Sequence, residues 1–268
     1  MIRHETGGTG TRTVLLLHGM GATAAVWHGV TRALEERGAV RWIAPDLGGH
    51  GGSPWSPLYS VGQLAAQLAD VVSDSRELCA VGHSLGAYVA LALASGWFGI
   101  RVQGVLGIGP KIAWSDADLQ GAGELAGRPV RWYPTETEAW ARYRRVSGVG
   151  QDIAPGDEFL ARGIVHAEQG WRLAQDPRTF AAAGASFATL AASARCHVRL
   201  ARGARDPMVS LEELHAHAAQ ADDIAAVGHN AHVEDPRAVV SLLDRLQSDL
   251  TRVSGAGPHG AVAPAVLR

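Results

Sequence analysis

The 268-residue chain predicts an α/β fold, a mostly parallel sheet flanked by helices. Three observations carry this expectation. Short apolar runs of strand length alternate with longer segments whose apolar residues recur at helical spacing. Most of those runs end in glycine-rich loops, where a strand can turn sharply into a helix. Hydrophobic residues make up 47% of the chain and charged residues 19%, which suits a sizeable core.

Residues 13–19, "TVLLLHG", read as a buried strand, followed by a helix over 24–36 that Gly38 ends. A second strand over 40–46 stops at the turn-rich "PDLGGHGGSP". The helix expected over 60–72 places Val61, Leu64, Ala65, Leu68, Val71 and Val72 on one face. "LCAVGHS" (78–84) is a strand with an apolar helix behind it, and 102–110 is another strand. The rhythm then changes: 111–193 holds several helix patterns and no convincing buried strand, and Thr135 with Glu138 forms a capping box. It resumes with a strand in 196–206, a helix over 211–220, the short strand "DIAAVG" (223–228) and a helix over 236–250. The expected organisation is a core of 1–110 and 194–253, a helical insertion of 111–193, and a disordered tail of 254–268.

The net charge of −2 leaves no electrostatic footprint for nucleic acid or an anionic membrane. The start of the chain lacks the apolar core of a signal peptide, and no run reaches the roughly 18 apolar residues of a membrane span. These features predict a cytoplasmic protein, monomeric or homodimeric, acting on a small molecule. Cys79 and Cys196 lie in apolar segments and read as buried free thiols. The histidines show no metal-ligand spacing, and no cofactor is implied.

Gly82-His83-Ser84-Leu85-Gly86 fits G-x-S-x-G, with the strand before and the helix after that the motif requires. On such a turn the hydroxyl stands at the strand's C-terminal end beside a helix N-terminus, where developing negative charge is favoured. A serine hydroxyl needs a base, and the base needs a carboxylate to orient it. "GHNAHVEDP" (228–236) offers His229 and His232 at the same sheet edge. Asp206, in the turn of "LARGARDPMVS", is the acid at another strand end, whereas Asp235 reads as a cap and Asp222 and Asp223 as solvated. Backbone N–H groups of Leu85 and of Met20, in the "HGMG" loop, are the candidate oxyanion donors. His18 reads as a structural hydrogen-bonder under that loop.

Taken together, "LLLHGMG", "APDLGGHGGS", "VGHSLGA", "RGARDPMV" and "GHNAHVEDP" resemble the α/β-hydrolase superfamily, in its compact esterase-like branch. The resemblance implies an eight-stranded type of sheet, a helical cap inserted after the sixth-type strand, and a triad of Ser84, Asp206 and His232. It also implies that Asp46, His50 and Gly51 hold a structural turn. Only nine or so residues precede the first strong strand, so the family's leading hairpin is expected to be short or incomplete. Serine at the elbow argues against relatives that need an aspartate nucleophile. Carboxylic ester hydrolysis (or that of a thioester or lactone) is the expected chemistry. C–C cleavage of an activated diketone, a ligand sensor, and a cofactor-free lyase or oxygenase are the alternatives. Trp114, Trp132, Trp140 and Phe159 are candidate pocket residues, and Lys111, the only lysine, falls near the site. Arg142, Arg144 and Arg145 could hold a substrate carboxylate, but read first as a solvated helix face.

Overall fold

A computed structural model describes residues 1–148 and 161–255. In chain order its strands are β1 (His4–Gly8), β2 (Arg12–Leu17), β3 (Val40–Pro45), β4 (Glu77–His83), β5 (Val102–Ile108), β6 (Trp132–Tyr133), β7 (Ile164–Ala167), β8 (Gly170–Leu173), β9 (His197–Gly203) and β10 (Gln220–Ile224). The α-helices are α1 (His28–Arg37), α2 (Val61–Val72), α3 (Leu85–Ala94), α4 (Asp116–Ala126), α5 (Glu136–Ser147), α6 (Phe187–Ser193), α7 (Leu211–His215), α8 (Ala231–Glu234) and α9 (Pro236–Gly255).

Seven strands form one sheet in the order β1-β3-β2-β4-β5-β9-β10, parallel except for β1, which runs antiparallel to β3. Because side chains alternate along a strand, each central strand feeds two cores. Val14 and Leu16 of β2 pack with Val30 and Leu34 of α1 and Leu243 and Leu246 of α9. Leu15 and Leu17 face the other way, onto Leu64 and Leu68 of α2 and Leu91 of α3. Helix α3 is buried on all sides, which is why its sequence "LGAYVALALA" carries no charge. The parallel arrangement gathers the C-terminal ends of β2, β4, β5 and β9 at one edge, and that edge holds the site.

Three expectations are corrected. The sheet described has seven strands rather than eight, the leading hairpin being reduced, as expected from its short sequence, to the single strand β1. The insertion is not purely helical: β6, β8 and β7 make an antiparallel sheet of their own. Those strands are two to four residues long and mostly half-buried, too short for an alternation to show. The last core strand is Gln220–Ile224, displaced from the apolar "DIAAVG". Asp222 and Asp223 belong to the strand because arginines of β9 neutralise them: Arg199 bonds Asp222, and Arg202 bonds Asp223 at 2.8 Å. Cys79 is buried and Cys196 half-buried, both as free thiols. The tail beyond Gly255 and Phe159 lie outside the described residues, and no helix among those described is long and apolar enough to cross a membrane.

Candidate active site

Ser84 joins β4 to α3 at φ 50° and ψ −114°, backbone angles that a non-glycine residue adopts only when its surroundings impose them. Its N–H is tied to the Ile108 carbonyl of β5 at 2.9 Å. The flanking glycines are dictated by close approach. A Cβ on Gly82 would lie 2.2 Å from the Gly86 carbonyl oxygen, and one on Gly86 would lie 2.1 Å from that of Leu17. Leu85 is the first residue of α3, so its N–H is among those with no partner inside the helix.

Asp206 follows β9 and is buried. One carboxylate oxygen accepts the Met208 N–H at 2.9 Å; the other lies 2.8 Å from His229 Nδ1. A buried carboxylate in that position fixes the imidazole tautomer, with the proton on Nδ1 and the lone pair on Nε2. His83 Nε2–H donates to the His229 carbonyl at 2.9 Å, which pins the backbone that carries the ring. Gly109, at φ 56°, completes the fit, since a Cβ there would stand 3.0 Å from the Asp206 carboxylate and 3.2 Å from His229 Nδ1.

The expectation that His232 meets Asp206 is therefore corrected: His229 does. His232 belongs to α8, whose first turn carries the ring inward to 1% exposure. There it packs between Trp27 (ring centroids 4.6 Å apart) and His83 (4.2 Å). Neither of its nitrogens has a hydrogen-bond partner among the described residues, and burial, with lesser contributions from His229 and His18, lowers its pKa to about 3. His229 lies in the loop before that helix. The signal that selects it is Glu234, whose carboxylate takes the Gly228 N–H at 3.0 and 3.1 Å and folds the loop back over Asp206. Asp235 caps α9 through the Ala238 N–H, as expected.

The "HGMG" loop is suspended from buried polar groups. His18 Nε2 accepts the Leu47 N–H at 2.9 Å while its Nδ1–H reaches the Gly19 carbonyl at 2.8 Å. His50 Nε2 accepts the Gly21 N–H at 3.2 Å, and Asp46 accepts the N–H groups of Ala24 (2.8 Å) and Gly52 (2.9 Å). Burial lowers the pKa of both rings, that of His50 to about 3, so each stays a neutral acceptor. Met20, between these anchors, lines the same cavity as Ser84 and Leu85.

That cavity has a volume of about 530 Å³, within the usual range for small-molecule sites, and is mainly apolar. Tyr88, Trp114, Leu125 and Phe180 are among its walls, and α4 contributes the small side of Ala117, Gly121 and Ala122. Trp114 is among the residues that line it. Trp140 is not: it is 3% exposed and stacked on Tyr143 in the core. Trp132 lies in β6 against Arg172, away from Ser84. Lys111 does reach the cavity, where its ammonium is paired with Asp118 at 2.7 Å. The described residues hold no cluster of three metal-ligating side chains.

Known proteins show the same architecture. The thioesterase domain from the curacin biosynthetic pathway superposes with a TM-score of 0.71 at 22% identity, over 90% of this chain and 94% of that one. Lipase LipV of Mycobacterium tuberculosis is 27% identical over 176 residues, 62% of this chain and 64% of its own length. Pimeloyl-[acyl-carrier protein] methyl ester esterase of Aeromonas hydrophila is 41% identical over 83 residues, 30% of this chain and 31% of that one. The chain thus spans less than two thirds of these curated relatives. The family model for the alpha/beta hydrolase family matches residues 14–242, from β2 through the Ser84 elbow and the Asp206–His229 pair into α9, and the chain belongs to that family.

Proposed function

We propose that the protein is a serine esterase that cleaves a carboxylic ester, or the related thioester or lactone, of a small to medium apolar substrate. The observation that carries this reading is the 2.8 Å Asp206–His229 pair at the sheet edge where Ser84 stands on its strained turn. The relatives named as a lipase, a methyl ester esterase and a thioesterase share acyl transfer to water.

In this mechanism His229 Nε2 takes the Ser84 hydroxyl proton as Oγ attacks the ester carbonyl, and Asp206 stabilises the resulting imidazolium. The carbonyl oxygen becomes an oxyanion held by the Met20 and Leu85 N–H groups, with the α3 N-terminus adding its dipole. Collapse of the tetrahedral intermediate breaks the bond to the alcohol, which leaves with the proton from His229. The same ring then activates water against the acyl-Ser84 ester, releasing the acid and restoring the serine. The described part of the insertion, 111–148 and 161–193, serves as the lid, with 111–128 and 180–184 supplying the residues that line the cavity. His83 is a positioning residue, since it acts on the reaction through His229.

A fluorophosphonate probe tests the reading. Wild-type protein should be labelled and should hydrolyse p-nitrophenyl esters of graded chain length, and Ser84→Ala should do neither. A wild-type protein that neither labels nor turns over any such ester overturns it.

A further inference from the structure

The insertion carries its cations in two states. Lys111 and Arg178 are each neutralised, by Asp118 at 2.7 Å and Asp176 at 2.8 Å. Arg128, Arg131 and Arg142 are not: none has a carboxylate within ion-pair distance among the described residues. Arg131 instead rests over the Tyr133 ring, at 5.0 Å. These three arginines come from just beyond the end of α4, from the segment leading into β6, and from α5, yet they line one cleft. No acidic residue among the described ones lines it. The cleft, of about 130 Å³, lies beside the apolar cavity of Ser84, and the two share Leu125, Arg128 and Phe180 as a common wall.

Three arginines lining one cleft with no counter-charge among the described residues repel one another. Such a set is the arrangement that binds carboxylate or phosphate through paired hydrogen bonds. The adjoining cavity, by contrast, presents a mainly apolar wall. The cleft is large enough for an anionic group but not for a further chain.

We propose that the natural substrate is an amphiphile, an apolar chain that fills the cavity over Ser84 and ends in an anionic group held by Arg128, Arg131 and Arg142. This rests on the reading of the Ser84 cavity as the substrate site. The shared chemistry is an anion at the far end of an apolar chain, and a carboxylate and a phosphate are its two sources. Sequence reading placed Arg142 on a solvated face because the cleft is made by segments distant along the chain.

The test is calorimetric binding to Ser84→Ala protein, so that affinity is read without turnover. The probes are octanol, octanoate and octyl phosphate. The expected result is that both anions bind at least about tenfold more tightly than octanol, with the preferred anion identifying the head group. The double variant Arg131→Gln/Arg142→Gln in the same background should lose that preference. A double variant with the same charge change at the opposite end of the sheet, Arg76→Gln/Arg101→Gln, should keep it. Equal binding of the three probes, no binding of any, or an anion preference that survives Arg131→Gln/Arg142→Gln overturns the proposal. The last result would place the anion at the Met20 and Leu85 N–H groups instead. A failure of fluorophosphonate labelling in the wild type strikes the esterase reading and leaves this affinity pattern to be read separately.

Discussion

His229 and His232 stand three residues apart, and their surroundings separate them completely. One is half-buried and bonded to a buried carboxylate; the other is packed between two aromatic rings with no hydrogen-bond partner among the described residues. His229→Gln should therefore lower kcat for an ester by at least about 10³-fold, since the base is gone while the oxyanion donors remain. His232→Leu should keep more than a tenth of the wild-type rate. Steady-state kinetics on both variants decide the assignment, and the reverse ranking refutes it. Asp206→Asn should cost about 10⁴-fold in kcat, because an amide there no longer selects the Nδ1–H tautomer. Ser84 and Asp206 were legible in the sequence because each is tied to a local pattern, a glycine-flanked strand–helix turn and a strand-end turn before proline. The partner of Asp206 was not, because His229 and His232 stand three residues apart and only the path of the chain over Asp206 separates them. His83 was missed for the same reason: its bond to the His229 carbonyl spans 146 residues.

The turn between β4 and α3 depends on contacts with β2 as much as on its own sequence. Gly86→Ala places a methyl group 2.1 Å from the Leu17 carbonyl, and β2 is fixed in the centre of the sheet and cannot yield. We expect this variant to lose about 1–3 kcal/mol of stability in urea unfolding, with esterase activity falling further as the elbow shifts. A stability unchanged from wild type would show that the approach is not tight. At this scale the core was largely readable. β2, β3, β4 and β5 each carry an apolar run in their C-terminal part because both faces are covered there, and α2 shows a clean apolar stripe. The strands that escaped notice owe their existence to other segments. β6, β7 and β8 are held by pairing within the insertion, and the acidic β10 is held by the arginines of β9.

Across the whole molecule, the buried neutral histidines tie stability to pH. The folded-state pKa of His50 and of His232 lies near 3, below the value of about 6.5 expected in the unfolded chain. The unfolded state therefore binds more protons between these limits, and stability falls as pH drops below 6.5 towards 3. Each ring should cost about 2 kcal/mol by pH 5, and His18 and His83, shifted in the same direction, add to this. Calorimetric melting points should decline steeply from pH 7 to pH 5, and a flat profile would contradict the buried neutral state. The roof of the cavity obeys a different economy. Helix α4 buries none of its side chains, carries Gly121 and Gly123 in open space, and is fastened at its start by the Ser115 capping box and the Lys111–Asp118 pair. Its backbone amides should exchange with deuterium orders of magnitude faster than those of α3, which is buried throughout. Gly123→Ala should slow that exchange by stabilising the helix about 1 kcal/mol without filling the cavity. The candidate site is thus set in the most deeply packed part of the molecule, under a surface helix expected to open more readily than the core unfolds. Substrate admission and global stability can then be tuned by separate substitutions.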